Sequence, residues 1–363
     1  MLVGTLGRYF AGRFIGASAA VFGGIFALIV LIDYIDMTRK MSGVAKASAF
    51  AVAQASFFRV PQLLEILMPF CVLIGTMSCY LALSRRLELV VARSAGISAW
   101  QFVTPALLSA LAFGVLATTL YNPLAVILRE QSKKIETELS SGERAAGLQV
   151  TPDFWLNQVT NDGQSIISAL FSAVGGTRLA GISVFRWDPQ GRFKERIEAR
   201  EATLEGGRWV LKGVQHYQLG APPVAEDTYL LPTNLTSEQV RDSSSSAETV
   251  SFWQLPEYIA SSEHSKLAAA GYRLQYHKLI ARPFLLAGMV LLASAVSLRF
   301  FRLGGVQKMV LSGVIAGFLL YVLQKVTEDL SKADLLNPIV AAWLPVCFGG
   351  LTGLLALLYQ EDG

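Results

Sequence analysis

Charge-free apolar runs alternate with polar segments along this chain, and the runs are long. Six stretches lack Asp, Glu, Lys and Arg: Phe14–Ile32, Ile66–Ser84, Ser94–Leu128, Pro283–Leu298, Met309–Gln324 and Leu335–Gln360. A helix needs about 20 apolar residues to cross a hydrocarbon core of about 30 Å. Each run therefore predicts a membrane span. The fourth and fifth have 16 residues, and their flanking Arg282, Arg299, Lys308 and Lys325 can snorkel to the interface on long stems. The third exceeds one span. Ala95-Gly96-Ile97-Ser98 is expected to precede its helix and Pro123 to mark its far end.

The interval between the third and fourth runs has a different rhythm. Leu179–Phe185, Phe193–Leu204 and Trp209–Leu219 read as strands with partial alternation, separated by turns at Asp188-Pro189-Gln190-Gly191 and Glu205-Gly206-Gly207. Phe154–Gln158 and Ser165–Leu170 are further strand candidates, and Arg241–Glu248 reads as a loop. From Leu255 the spacing of Leu255, Tyr258, Ile259 and Leu267, then Tyr272, Tyr276, Leu279 and Ile280, is helical, with Gly271 as a candidate break. The fold class is thus membrane α-helical, with six transmembrane helices (3+3) and an inserted all-β domain. Its expected parts are 1–128, with a short amphipathic helix about 85–97, then 129–275, then 276–363.

Composition sharpens this picture. The chain is 53% hydrophobic and 16% charged, against about 25% charged in soluble domains. Of its 58 charged residues, 34 lie between Arg129 and Lys278. Asp33, Asp36, Arg39 and Lys40 follow a full-length first run, so a retained helix is expected there and not a cleaved leader. Cys71, Cys79 and Cys347 lie inside predicted spans and read as small hydrophobes. His216, His264 and His277 have no metal-ligand spacing. A net charge of +4 gives no reason to expect nucleic acid as a partner.

Counting Lys and Arg in the short connections gives eight on one side (Arg8, Arg13, Arg85, Arg86, Arg93, Arg299, Arg302, Lys308). The other side has six (Arg39, Lys40, Lys46, Arg59, Lys325, Lys332). The rule that basic loops stay inside then puts both termini in the cytoplasm and the large domain outside.

Three features are candidates for function. Between the second and third runs, Leu87, Val90, Val91 and Ser94 share one helical face, Arg86, Glu88 and Arg93 point elsewhere, and Gly96 suits a C-terminal cap. Such a helix is either a docking element for a cytoplasmic partner or an ordinary interfacial connector. Arg39 and Lys40 end the first span, while Arg129 and Lys133 follow the third, four residues apart. These cations either hold the phosphates of a lipid or anchor helices at the interface. Gly313 and Gly317 form G-x-x-x-G, and Gly349, Gly350 and Gly353 cluster in the last run. Such residues serve packing within the chain or contact with a second subunit.

Catalytic patterns are missing: Asp153, Asp162 and Asp188 belong to no recognisable motif, and neither G-x-S-x-G nor G-x-x-x-x-G-K-[ST] occurs. The chain is expected to be a non-catalytic subunit, and any ATP-driven role needs a partner. A membrane-bound sensor or scaffold, with the outer domain as a binding module, is the alternative.

One resemblance bears on the choice. The run from Val60-Pro61 through Met68-Pro69 to Glu88-Leu89-Val90-Val91 and Ser94-Ala95-Gly96-Ile97-Ser98, and the ending Tyr321-Val322-Leu323-Gln324 with Leu335–Pro345, resemble the LptF/LptG family of lipopolysaccharide export permeases. The N-terminal run Leu31–Lys40 is more similar to the LptG branch. The resemblance implies an ABC-type exporter that extracts lipopolysaccharide from the inner membrane of Gram-negative bacteria and passes it to a periplasmic bridge. It implies an LptF-like sister permease, an LptB-like ATPase dimer, an LptC-like single-span protein, lipopolysaccharide and membrane lipid as partners. It implies a β-jellyroll-like periplasmic domain. No cofactor is expected in this chain; ATP and magnesium would belong to the ATPase. Glu88 would contact the ATPase, helped by Arg85, Arg86, Arg93 and the Gly96 cap. Arg39, Lys40, Lys133 and Arg129 would meet the substrate's phosphates. Where LptG members often carry lysine, this chain has Asp33.

Overall fold

The computed structural model describes residues 4–41, 48–140, 154–160, 163–173, 177–218, 222–233, 247–264, 269–303 and 305–362. The loop expected at Arg241–Glu248 lies largely outside them. Two compact units form: Met1–Leu139 with Ser251–Leu255 and Ala270–Gly363, and Ser140–Val250 with Pro256–Ala269.

The first unit is helical. Its elements are α1 (Thr5–Lys40), α2 (Ala49–Arg85), α3 (Glu88–Ser94), α4 (Ala99–Leu116) and α5 (Asn122–Ser140). After the inserted unit, whose helix α6 spans Leu255–His264, come α7 (Ala270–Leu303), α8 (Val306–Lys332) and α9 (Pro338–Asp362). Six helices, counting α4 and α5 as one, are long and apolar enough to cross a membrane. α1 and α2 have 36 and 37 residues, about 55 Å at 1.5 Å per residue, so both overhang a hydrocarbon core. The helical segment does fall into two helices, α6 ending at His264 and α7 starting at Ala270, with Gly271 in the first turn of α7.

Pro123 does not end the third span either. A π-helical turn, Ala117–Tyr121, joins α4 to α5. A helical proline lacks the N–H that would bond the carbonyl four residues back and crowds that carbonyl with its ring. The wide turn makes room, and the orphaned Thr119 carbonyl accepts a 3.0 Å bond from Trp253 Nε1. The same solution recurs twice. Pro283 orphans the Leu279 carbonyl, which accepts from Thr118 Oγ1 at 2.9 Å. Pro345 orphans the Ala341 carbonyl, which accepts from Thr327 Oγ1 at 3.0 Å. In an apolar medium a freed backbone group must find such a partner.

The bundle core gathers Phe10, Phe14, Met68, Val72, Leu73, Tyr80, Leu83, Leu89, Phe102, Leu286 and Val290. Glycines set close crossings: a Cβ on Gly114 would lie 2.4 Å from Pro283 Cα, and one on Gly75 2.7 Å from Ser18 Cα. Gly313 and Gly317 face Met77 and Leu73 of α2, so this G-x-x-x-G packs within the chain. Cys71 and Cys79 are buried thiols and Cys347 is exposed.

The second unit is built on one antiparallel sheet: β1 (Phe154–Thr160), β2 (Gly163–Ala173), β3 (Arg178–Trp187), β4 (Phe193–Glu205), β5 (Arg208–Tyr217) and β6 (Val224–Pro232). An inserted all-β domain is therefore present, and its described strands pair strictly in chain order. Gly206 and Gly207, both at positive φ, close the β4–β5 hairpin between paired Glu205 and Arg208, as a two-residue primed turn requires. At the β3–β4 turn, Asp188 accepts from the Arg192 and Gln190 backbone N–H groups at 2.8 and 3.0 Å. Those bonds, led by Arg192, hold its carboxyl below the usual carboxylate value.

A crease crosses this sheet. The pairs that would join Leu170 to Gly181, Gly181 to Arg200, Arg200 to Gly213 and Gly213 to Asp227 are all missing from their ladders, while the pairs on either side are present. Gly181 and Gly213 have φ of +64° and +65°. On either side the buried face changes parity: Leu179 then Ile182, Ala199 then Ala202, Leu211 then Val214. In β3, β4 and β5 one residue steps out of alternation, as in a bulge, and the gap in pairing runs on in register into β2 and β6. An open hollow of about 750 Å³ lies along this line.

Candidate functional site

The segment between α2 and α4 is shaped by backbone constraints. α2 ends at Arg85, and Leu87 takes a left-handed conformation (φ 60°), turning the chain sharply into α3. A non-glycine residue there costs roughly 1–2 kcal/mol. At the other end Gly96 is left-handed (φ +80°). Its N–H bonds the Arg93 carbonyl at 3.0 Å and the Ile97 N–H bonds the Ala92 carbonyl at 3.1 Å. This is a Schellman closure, so Gly96 caps α3 as its sequence position suggests.

Leu89 and Ala92 are buried and hold α3 to the bundle. The face expected to be apolar is the outward one: Leu87, Val90 and Val91 are 61, 41 and 64% exposed. Arg85 and Arg86 are exposed at the end of α2, and Arg93 is half-buried in the last turn. Glu88 opens the helix, where a negative charge suits the helix dipole. Its Oε2 accepts from the Tyr9 hydroxyl at 2.8 Å, and Arg13 Nε donates to the same hydroxyl at 2.9 Å. The sequence gives no sign of Tyr9 and shows Arg13 only in a charge count; no spacing links Tyr9 to a residue 79 positions away.

The second candidate group lies where α1 ends and α5 overhangs. Met37, Val52 and Ala55, with Ile135 and Leu139 against them, pack α1, α2 and α5 together, and Ser132 Oγ donates to the Ala55 carbonyl at 2.8 Å. That packing brings the Arg39–Lys40 and Arg129–Lys133 pairs to the same end of the bundle. Arg39, Lys40 and Lys133 are exposed and Arg129 is half-buried. Lys40 Nζ lies 2.6 Å from Asp36 Oδ2 on its own helix. Beneath them Arg59 bridges Asp33 at 3.6 Å and Glu136 at 3.7 Å. The buried Asp33 is thus an ion-pair partner between α1 and α2.

A further polar network ties the end of the bundle near Ser251–Leu255. Glu65 accepts from Arg282 and, at 2.8 Å, from Asn122 Nδ2. Asn122 Oδ1 in turn accepts from the Phe252 backbone N–H at 2.9 Å, and the Phe252 ring stacks on Tyr276 at 5.6 Å. Lys278 and Lys332 both pair with Glu328, at 3.0 and 3.1 Å. Among the described residues no group of His, Cys, Asp and Glu is arranged to hold a metal.

Comparison with known proteins matches the sequence along nearly its whole length. The sequence profile of the family described as lipopolysaccharide export system permease LptF/LptG matches residues 8–359. The lipopolysaccharide export system permease protein LptG of Haemophilus influenzae is 22% identical over 358 residues, covering 96% of this chain and 95% of that protein. The LptG proteins of Escherichia coli K12 and of E. coli O6:H1 are each 22% identical over 348 residues, 94% of both chains. With a match that leaves out only a few residues at either end, this multi-pass chain belongs to the LptF/LptG family of lipopolysaccharide export permeases.

Proposed function

We propose that the chain is one of two permease subunits of an ATP-driven exporter in the bacterial inner membrane, with cytoplasmic termini and a periplasmic β-domain. It would work beside an LptF-like sister permease, above an LptB-like ATPase dimer that binds the ATP and magnesium, and next to an LptC-like single-span protein. Lipopolysaccharide would be extracted from the membrane and passed to a periplasmic bridge. The observation that carries this reading is the family match across residues 8–359, joined to a sequence with no phosphate-binding loop of its own.

In this reading α3 is the docking element for the ATPase. Glu88 supplies the charged contact, Arg85, Arg86 and Arg93 flank it, and Gly96 fixes the end of the helix. The outward Leu87, Val90 and Val91 support docking, because apolar residues facing water gain by being covered. Arg39, Lys40, Arg129 and Lys133 would hold the lipid's phosphates, with acyl chains below them in the membrane. The bare flank of α1, whose most apolar stretch is only 6% buried, supports neighbouring membrane helices there.

Co-purification from native membrane tests the whole reading. A sister permease, an ATPase and lipopolysaccharide should accompany the tagged chain. The chain recovered alone would overturn the exporter reading in favour of a sensor or scaffold. Glu88→Ala should weaken ATPase capture by about 2 kcal/mol or more, the cost of removing one partner of a desolvated interfacial charge pair. Normal capture with normal ATP turnover would remove Glu88 from the interface.

A further inference from the structure

α1 crosses α2 closely where Ser18 meets Gly75, and its other fully buried residues lie toward its two ends. Its most apolar stretch is 6% buried, against 61% for α2 and 67% for the span in α7. At one end Asp33 and Met37 engage α2. At the other, Phe10 and Phe14 enter the core that also contains Leu89 of α3, and Phe10 lies 6.2 Å from Phe102 of α4.

Beside that anchor is a polar clamp on α3. The Tyr9 hydroxyl has one proton, and it is given to Glu88 Oε2 at 2.8 Å. The Tyr9 hydroxyl oxygen in turn accepts from Arg13 Nε at 2.9 Å, and Arg13 Nη2 stands 3.9 Å from Glu88 Oε1. The guanidinium also lies 5.1 Å from the Tyr9 ring centroid, within cation–π range. Arg13 thus orients Tyr9, and Tyr9 orients Glu88. The Glu88 side chain is still 28% exposed, and a carboxylate accepts about four hydrogen bonds. It can therefore keep Tyr9 on one side and meet a partner's cation on the other. A seven-residue helix is too short to hold its own shape, so its position follows what it is fastened to.

We propose that Tyr9 and Arg13 are positioning residues that fasten the Glu88 carboxylate to the adjacent end of α1, so that an ATPase displacing α3 moves α1 with it. This deepens the docking role given to α3 above and rests on it.

The test uses the full chain with its sister permease and ATPase in vesicles of phospholipid and lipopolysaccharide, reading ATP hydrolysed and lipopolysaccharide extracted. Tyr9→Phe keeps the ring and removes only the hydroxyl. It should capture the ATPase normally and hydrolyse ATP within about twofold of the parent, while lipopolysaccharide extracted per ATP falls at least about fivefold. Glu88→Gln should lower the same ratio, and the double variant should be no worse than the poorer single. Unchanged extraction per ATP in Tyr9→Phe, or losses that multiply in the double variant, would overturn the link. Capture of the ATPase by Glu88→Ala reports separately on docking, so failure of that reading is distinguishable from failure of this one.

Discussion

At the residue scale, the prolines and their distant hydrogen-bond donors form units. Pro283 alone would leave the Leu279 carbonyl without a donor inside a membrane span; Thr118 supplies one from the π-turn of another helix. Thr118→Val keeps the shape and removes the donor. It should cost about 1 kcal/mol, the usual worth of such a bond in a membrane helix bundle. Adding Pro283→Ala restores the N–H that bonds Leu279 within the helix and should recover most of that loss. Thermal inactivation of the detergent-solubilised chain checks both variants. A double variant no more stable than Thr118→Val would show that the pairing carries no stability. Neither partner points to the other in the sequence, which places them 165 positions apart.

At the element scale, the strands carry their own ion network. Arg186 Nη1 bonds Glu195 Oε1 and the Tyr229 hydroxyl, both at 2.7 Å. His216 sits between Glu195 and Glu226, at 3.2 and 3.3 Å. Burial raises the Tyr229 hydroxyl above the ordinary phenol value, so it stays neutral. Glu195 is 5% exposed, and Arg186→Met would leave its charge buried beside His216 alone. The expected loss is about 3 kcal/mol, while Arg186→Met with Glu195→Leu should cost much less, since paired removal leaves no orphan charge. Protease resistance of the β-domain in the full chain measures this; equal losses would refute it.

The same elements show what a sequence discloses. The apolar runs located all six spans, because length and the absence of charge are local properties. β1 to β5 were found, but with broken alternation, and the crease explains why: Ile197, Ala199 and Ala202 all face inward although their spacing is two and then three. β6 was missed because only Leu231 among its residues is fully buried and Ala225-Glu226-Asp227-Thr228 reads as a loop. In the candidate site the Gly96 cap was legible, since it depends on neighbours in the chain. The orientation of α3 was not: which face is buried depends on what the bundle offers, and Leu89 and Ala92 found the core.

At the scale of the whole molecule, α1 reaches both candidate groups. Tyr9 and Arg13 belong to its first turns, Arg39 and Lys40 to its last. Arg39→Glu with Lys40→Glu should leave assembly intact, because neither residue is in the buried packing of α1 on α2. Crosslinking to lipopolysaccharide should fall several-fold, as like charges replace an attraction for phosphate. Crosslinking equal to the parent's would remove these two residues from the substrate path.

The crease in the sheet has a consequence for how such a chain can change length. Each of β2 to β6 gives up one residue to it, and the five line up from Leu170 to Asp227. Deleting a single residue from one strand beyond that line would turn the rest of its side chains to the opposite face, while its neighbours kept theirs. A change of length inside one strand therefore sets its inward face against those of the strands beside it, while the connections between strands can change length without turning any face.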